Sequence, residues 1–117
     1  MALEKLCAVV LFALAAGVHA EPGVTKDAIL LGQSAPLTGI SASLGEEQRD
    51  GALAYFDYVN KQGGVHGRKI VLRTTDDGYV PARTAANVKK LIEEDQVFSL
   101  FFLRGTSHVV EAAKVFG

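Results

Sequence analysis

Ser34, Asp77 and His108 are the residues of this chain whose types and order come nearest to covalent chemistry. They run in the Ser, Asp, His order of one class of hydrolases, and Gly32-Gln33-Ser34-Ala35-Pro36 follows an apolar run much as a nucleophile elbow would. Two departures count against that reading. The last glycine of the elbow is Pro36, and a long loop stands where a tight turn should run straight into a helix. Geometry and not order defines a triad, so the residues are not expected to act together.

Other chemistries fit less well. Asp76 and Asp77 form an acidic pair, but neighbours on a strand point to opposite faces and cannot easily share one substrate atom. Neither G-x-G-x-x-G nor G-x-x-x-x-G-K-[ST] occurs, so no phosphate-cradling loop is expected. His66 and His108 stand apart from any cysteine or paired histidine, and His66 reads as a loop residue. The formal net charge is -1, and the cation pairs Arg68-Lys69 and Lys89-Lys90 lack an interleaved aromatic platform, which argues against a nucleic-acid surface. No cofactor is expected, and the chain reads as a binding module rather than an enzyme.

The elements that would position these residues alternate. Ala28 to Ser34 is a nearly continuous apolar run, the pattern of a strand covered on both faces. Ala35 to Ser43 is a loop, and Ser43 with Glu46 fits a capping box that starts the first helix near Leu44. Ala52, Tyr55, Phe56 and Val59 then recur at i, i+3, i+4 and i+7, an apolar face for docking on a sheet. Gly63-Gly64 stops that helix, and after Val65-His66-Gly67 the stretch Arg68 to Asp77 reads as a strand with Ile70 and Leu72 on one side. Pro81 fits the first turn of a second helix whose stripe is Ala85, Val88 and Ile92, with Leu91 alongside. Val97 to Leu103 is the third strand, apolar enough to demand cover on both sides. The third helix begins in the Arg104-Gly105-Thr106-Ser107 loop and carries Val109, Ala112, Ala113 and Phe116 at helical spacing.

Strand and helix patterns alternating over short connections predict an α/β fold, a three-layer arrangement with a parallel sheet between helices. Such sheets take ligands at the carboxyl ends of their strands, where the chain direction reverses across the sheet.

The first twenty residues are of another kind. Lys5 precedes the unbroken apolar run Leu6 to Ala16, and Val18-His19-Ala20 supplies small residues for a signal peptidase, with cleavage expected before Glu21. The run is short of the about 20 apolar residues that span a bilayer, although a retained anchor is the alternative. Cys7 is the only cysteine and falls inside this segment, so the mature part, residues 21–117, is expected to hold no thiol, disulfide or lipid anchor. That part is long enough for one small domain.

Taken in order, the mature residues resemble the amino-terminal part of the branched-chain amino-acid (Leu/Ile/Val-type) periplasmic binding proteins, the substrate-binding subunits of ABC importers. The resemblance rests on Gly32-Gln33-Ser34-Ala35-Pro36-Leu37-Thr38-Gly39, on Gly51-Ala52 with Asn60, on Gly63-Gly64-Val65-His66-Gly67-Arg68-Lys69-Ile70, on Asp76-Asp77 and on Gly105-Thr106. It covers nearly all of the mature segment. It implies a partial N-terminal lobe of a type I periplasmic-binding-protein fold, with a strand order of 2-1-3. It also implies a periplasmic location, a small-molecule solute such as an amino acid, and a membrane permease as partner. Only about a quarter of such a two-lobed protein is present, judged by typical domain sizes. A ligand-sensing receptor domain on the same fold, or a fragment without activity, fits the same residues.

The resemblance implies that the loop after the third strand holds a solute's carboxylate and amino groups through Gly105, Thr106, Ser107 and His108. A helix N-terminus suits a carboxylate, stabilising it by about 0.3 to 1 kcal/mol. The alternative is that Thr106 and Ser107 only cap a helix. Many relatives have Gly-Thr-Pro-Thr there, whereas Gly-Thr-Ser-His stands here, so His108 is expected to alter the solute or close the site. Leu44 falls where relatives touch the ligand from the first loop, and packing on the sheet is its other reading.

Overall fold

The computed structural model describes residues 20–116. The expected signal segment, residues 1–20, lies outside the described residues except for Ala20. Three strands and three helices alternate: β1 Ala28–Ala35, α1 Ala42–Lys61, β2 Lys69–Asp76, α2 Pro81–Glu93, β3 Ser99–Leu100 and α3 Thr106–Ala113. All pairing in the sheet is parallel and the order is β2-β1-β3, as expected for an α/β fold of this kind. β1 meets β2 in an unbroken register from Ala28↔Lys69 to Ala35↔Asp76, and β3 through Leu31↔Ser99 and Gly32↔Leu100.

The central strand is covered because its neighbours supply residues for both of its faces. Gly32 faces Leu91 and Val97, and Ser34, two residues on, is bonded to Asn87 of α2. On the helix side of α1, Phe56 is buried and meets Phe101 edge-on at 5.3 Å between ring centroids. The carboxyl half of β1, Gly32 to Ala35, is buried, while its amino half is half-buried.

Helix α1 ends as its glycines dictate. Gly63 and Gly64 take φ of 103° and 74°, and a Cβ on Gly64 would fall 2.0 Å from the Arg68 carbonyl oxygen. His66 (φ 49°) and Gly67 (φ 77°) then form a two-residue turn closed by Val65 and Arg68, whose N–H groups each donate to the other's carbonyl, at 2.8 and 3.0 Å. Two successive positive φ angles fit a type I′ turn. Asn60 fixes the start of β2 on α1, donating to the Ile70 carbonyl at 2.9 Å and accepting from the Ile70 N–H at 2.8 Å.

Several sequence expectations shift by a residue or more. Helix α1 starts at Ala42 with Ser41 as its N-cap and no side-chain cap, so Ser43 lies within the first turn and the Ser43–Glu46 box is not formed. The docking face of α1 runs through Gly45, Ala52 and Phe56, whereas Tyr55 is 63 % exposed. On α2 the buried stripe is Thr84, Val88 and Leu91, with Ile92 facing out. On α3 it is His108 and Ala112, with Val109 and Phe116 exposed. In both helices a polar residue took the inward position that hydrophobic periodicity assigned to an apolar neighbour. The third strand is also shorter than Val97 to Leu103. Val97 is buried beside Gly32, but Phe98 and Phe102, on either side of β3, are exposed.

Among the described residues no helix is long and apolar enough to cross a membrane.

Candidate functional site

Because β1 and β3 are parallel neighbours, the loops that leave them emerge at the same end of the sheet. The first carries Leu37 to Ser41 into α1, whose first turn holds Leu44; the second carries Phe101 to Gly105 into α3, which opens with Thr106, Ser107 and His108. The structure therefore brings the sequence-predicted residues to one end of the molecule. Leu44 is 44 % exposed, Thr106 and Ser107 are exposed, and Gly105 is half-buried as the N-cap of α3 with φ of 95°.

His108 behaves differently from its neighbours. It is 2 % exposed, and its ring lies 4.4 Å from that of Tyr79, inclined at 31°, so it packs the start of α3 against the β2–α2 connection. Nδ1 stands 3.4 Å from the Ser107 hydroxyl, and Nε2 has no hydrogen-bond partner among the described residues. A Cβ on Gly105 would come within 2.6 Å of Nδ1, which is why a residue without a side chain precedes this helix.

The acidic pair at the end of β2 splits into two jobs. Asp77 is 1 % exposed and accepts the Ser34 hydroxyl at 2.8 Å and the Thr84 hydroxyl at 3.0 Å on one oxygen, and the Tyr79 N–H at 2.9 Å on the other. The Asn87 amide adds a bond to the Ser34 oxygen and another to the Asp76 carbonyl, both at 3.0 Å. Ser34 thus spends its proton on Asp77 and not on an imidazole, and the Ser, Asp, His order is not a triad in space.

Asp76 faces the other way and gathers the loop after β1. One oxygen accepts the Leu37 N–H at 2.8 Å, the Thr38 N–H at 3.2 Å and the Gly78 N–H at 2.9 Å; the other takes the Thr38 hydroxyl at 2.6 Å. The Thr38 hydroxyl above all, with the three main-chain donors, outweighs desolvation and holds the Asp76 carboxyl down at about 2. Sequence reasoning weighed Asp76 as one of an acidic pair at a strand end and not as a clamp, because Leu37 and Thr38, which supply most of its donors, sit 39 and 38 residues upstream. Gln48 was missed for the same reason: its amide Nε2 donates to the Phe102 carbonyl, 54 residues further on.

Among the described residues there is no group of three or more His, Cys, Asp or Glu side chains placed to hold a metal ion. The arrangement at the carboxyl end is of another sort: exposed hydroxyls and main-chain donors at a helix start, an apolar residue from the first turn of α1, and a carboxylate clamp holding the loop that leads into that helix.

Comparison with known proteins bears on the family and the fold. Residues 28–116 match the model of a family described as periplasmic binding protein. A Leu/Ile/Val-binding protein, BraC3, from Rhizobium johnstonii is 34% identical over 92 residues, 79% of this chain and 24% of the relative. A possible leucine/isoleucine/valine-binding protein from Rhodopirellula baltica superposes with a TM-score of 0.72 at 30% identity, over 85% of this chain and 26% of that one. A fatty acid ABC transporter substrate-binding protein from Thermomonospora curvata gives 0.73 at 32% identity, over 84% and 25%. The chain spans about a quarter of the length of the curated relatives it matches.

Proposed function

We propose a function from one premise: the chain belongs to the periplasmic binding protein family. It supplies part of the first lobe of an extracytoplasmic solute-binding component of an ABC importer, exported by its leader and working with a membrane permease. The observation that carries this reading is the parallel pairing of β3 beside β1, which sets Leu44 and Gly105–His108 at one end of the sheet. Open α/β sheets take ligands there, and the start of α3 offers N–H donors to an anionic group.

In this reading the main-chain N–H groups of Thr106, Ser107 and His108 and the exposed hydroxyls face the carboxylate of a small solute, while Leu44 meets its apolar part. The His108 ring, buried against Tyr79, acts by setting the floor of the site. An amino acid is the favoured solute class, in line with the names of the Rhizobium and Rhodopirellula relatives. The Thermomonospora protein, similar over the same quarter, is described as a fatty-acid binder, so a carboxylate joined to an apolar tail is the feature common to both. The rest of the specificity belongs to the remaining wall.

Small-ligand sites bury roughly 70 to 90% of the ligand, so a half-site binds weakly. Titration of the chain with L-leucine, followed by amide chemical shifts, is expected to give a dissociation constant of about 1 mM or weaker, with shifts at Leu44 and Gly105–His108. Micromolar affinity, or shifts confined to the opposite end of the sheet, overturns the half-site.

A further inference from the structure

We infer that Gln48 is a positioning residue of this half-site: from α1 it ties down the main chain of the loop after β3, so that Leu44 and the start of α3 keep a fixed separation. The inference rests on the reading of that end of the sheet as a solute site, but its test does not use a solute.

The tie is a single hydrogen bond, Gln48 Nε2 to the Phe102 carbonyl, at 2.5 Å. The main chain needs holding there. The last sheet bond on this side is the Phe101 N–H to the Gly32 carbonyl at 2.7 Å, and no main-chain to main-chain bond of Phe102, Leu103 or Arg104 is seen among the described residues. Phe102 adopts φ of 51°, a left-handed conformation disfavoured for a residue with a bulky side chain; the residue is 59 % exposed, and its ring meets that of its neighbour Phe101 edge-on at 5.9 Å between centroids. Packing of that ring is therefore a weak explanation for the conformation, and the bond to its carbonyl is a direct one.

The amide's orientation follows from chemistry. A carbonyl only accepts, so Nε2 faces Phe102 and Oε1 is the atom left over. Oε1 is buried and has no partner among the described residues. An orphaned buried acceptor costs more than one ordinary hydrogen bond returns, so as a stabiliser Gln48 is a poor choice beside leucine or methionine. As a positioner it is a good one. It lies four residues after Leu44, one turn along the same side of α1, and the turn that presents Leu44 therefore also holds the approach to Thr106.

Two variants of the full chain test this, read through the carbonyl carbon shift of Phe102 and through amide nitrogen relaxation at Gly105, Thr106 and Ser107, whose N–H groups have no main-chain acceptor among the described residues. Gln48→Leu is expected to keep or raise Tm while moving the Phe102 signal and lowering the order parameters of those three amides from about 0.85 toward about 0.6. Gln48→Glu is expected to do the same at pH 7, where its carboxylate repels the carbonyl. Near pH 4 a protonated carboxyl can donate again, and the Phe102 signal and the high order parameters are expected to return in that variant only. Gln48→Leu at both pH values registers what His108, Glu46, Glu47 and Asp76 contribute to the same signals. Unmoved Phe102 and Gly105–Ser107 signals in both variants overturn the inference. So does a lower Tm in Gln48→Leu with no loss of order confined to the loop, since that is the mark of packing alone, and so does a failure of acid to restore Gln48→Glu.

Discussion

The carboxylate of Asp76 accepts the hydroxyl of Thr38 at 2.6 Å, joining the carboxyl end of β2 to the loop that leaves β1. Through this bond and the three N–H donors around it, one side chain sets the path from the central strand to Leu44.

The clamp gives stability a defined pH dependence. The folded carboxyl sits at about 2 against an ordinary value of 3.8, so the folded state binds its proton less readily than the unfolded one. Its contribution is present above the unfolded value and is lost as pH falls from near 4 toward 2. Partial exposure limits it to about 1 kcal/mol. Thermal unfolding of Asp76→Asn and the parent chain across pH 2 to 7 is expected to show a gap near neutrality that closes in acid. A gap that stays constant with pH contradicts the assignment.

The buried carboxylate next to it is worth more. Asp77→Ala strands the Ser34 hydroxyl and the Tyr79 N–H without their acceptor and leaves the Thr84 hydroxyl only the Val80 carbonyl at 3.5 Å. A cost of about 3 kcal/mol or more is expected from urea unfolding, with Asp77→Asn milder because one oxygen remains. A loss under about 1 kcal/mol for the alanine variant argues that the network is not formed in solution.

Leu91 is fully buried on α2 and lies against Gly32 of the central strand. Leu91→Ala is expected to cost about 2 to 5 kcal/mol, a large share of the stability of a small domain. Tyr55→Lys, on the wet side of α1, is expected to stay within about 0.5 kcal/mol. Equal effects of the two in one denaturation series contradict the packing described.

The third strand leaves an apolar sheet edge. Phe98 is 49 % exposed there and shares a shallow groove with Ile92, Leu100 and Phe116. Open edges of this kind pair with other chains, and a charge on the edge blunts them. Phe98→Lys is expected to lower concentration-dependent association in light scattering, and a lysine in place of Tyr58 on α1 is expected to leave it unchanged. Equal effects would shift the cause away from β3.

The alternation of elements and the stops between them were legible because they are local. Gly63-Gly64 ended a helix, Pro81 began one, and Ile70 and Leu72 marked a strand, each by its own conformational preference. The strand order came from resemblance, and the parallel sheet agrees with it. What hydrophobic periodicity misplaced are the faces of α2 and α3, where Thr84 and His108 turn inward. A polar side chain is buried when a partner waits for it, and those partners belong to other elements: Asp77 for Thr84, and the Tyr79 ring for His108. The clamp of Asp76 on Thr38 and the tie of Gln48 to Phe102 stayed out of sight for the same reason, since nothing within a helical turn announces them.

β1 is both the earliest of the described strands and the one that pairs on each side. A chain that emerges amino end first, from a ribosome or from a translocation pore, therefore releases its template first, and each later βα unit can add to a surface already made. β2 and β3 do not touch each other, so neither must wait for its neighbour once β1 is out. Vectorial emergence and strand order run in the same direction here, which spares the emerging chain the search that a late central strand would impose.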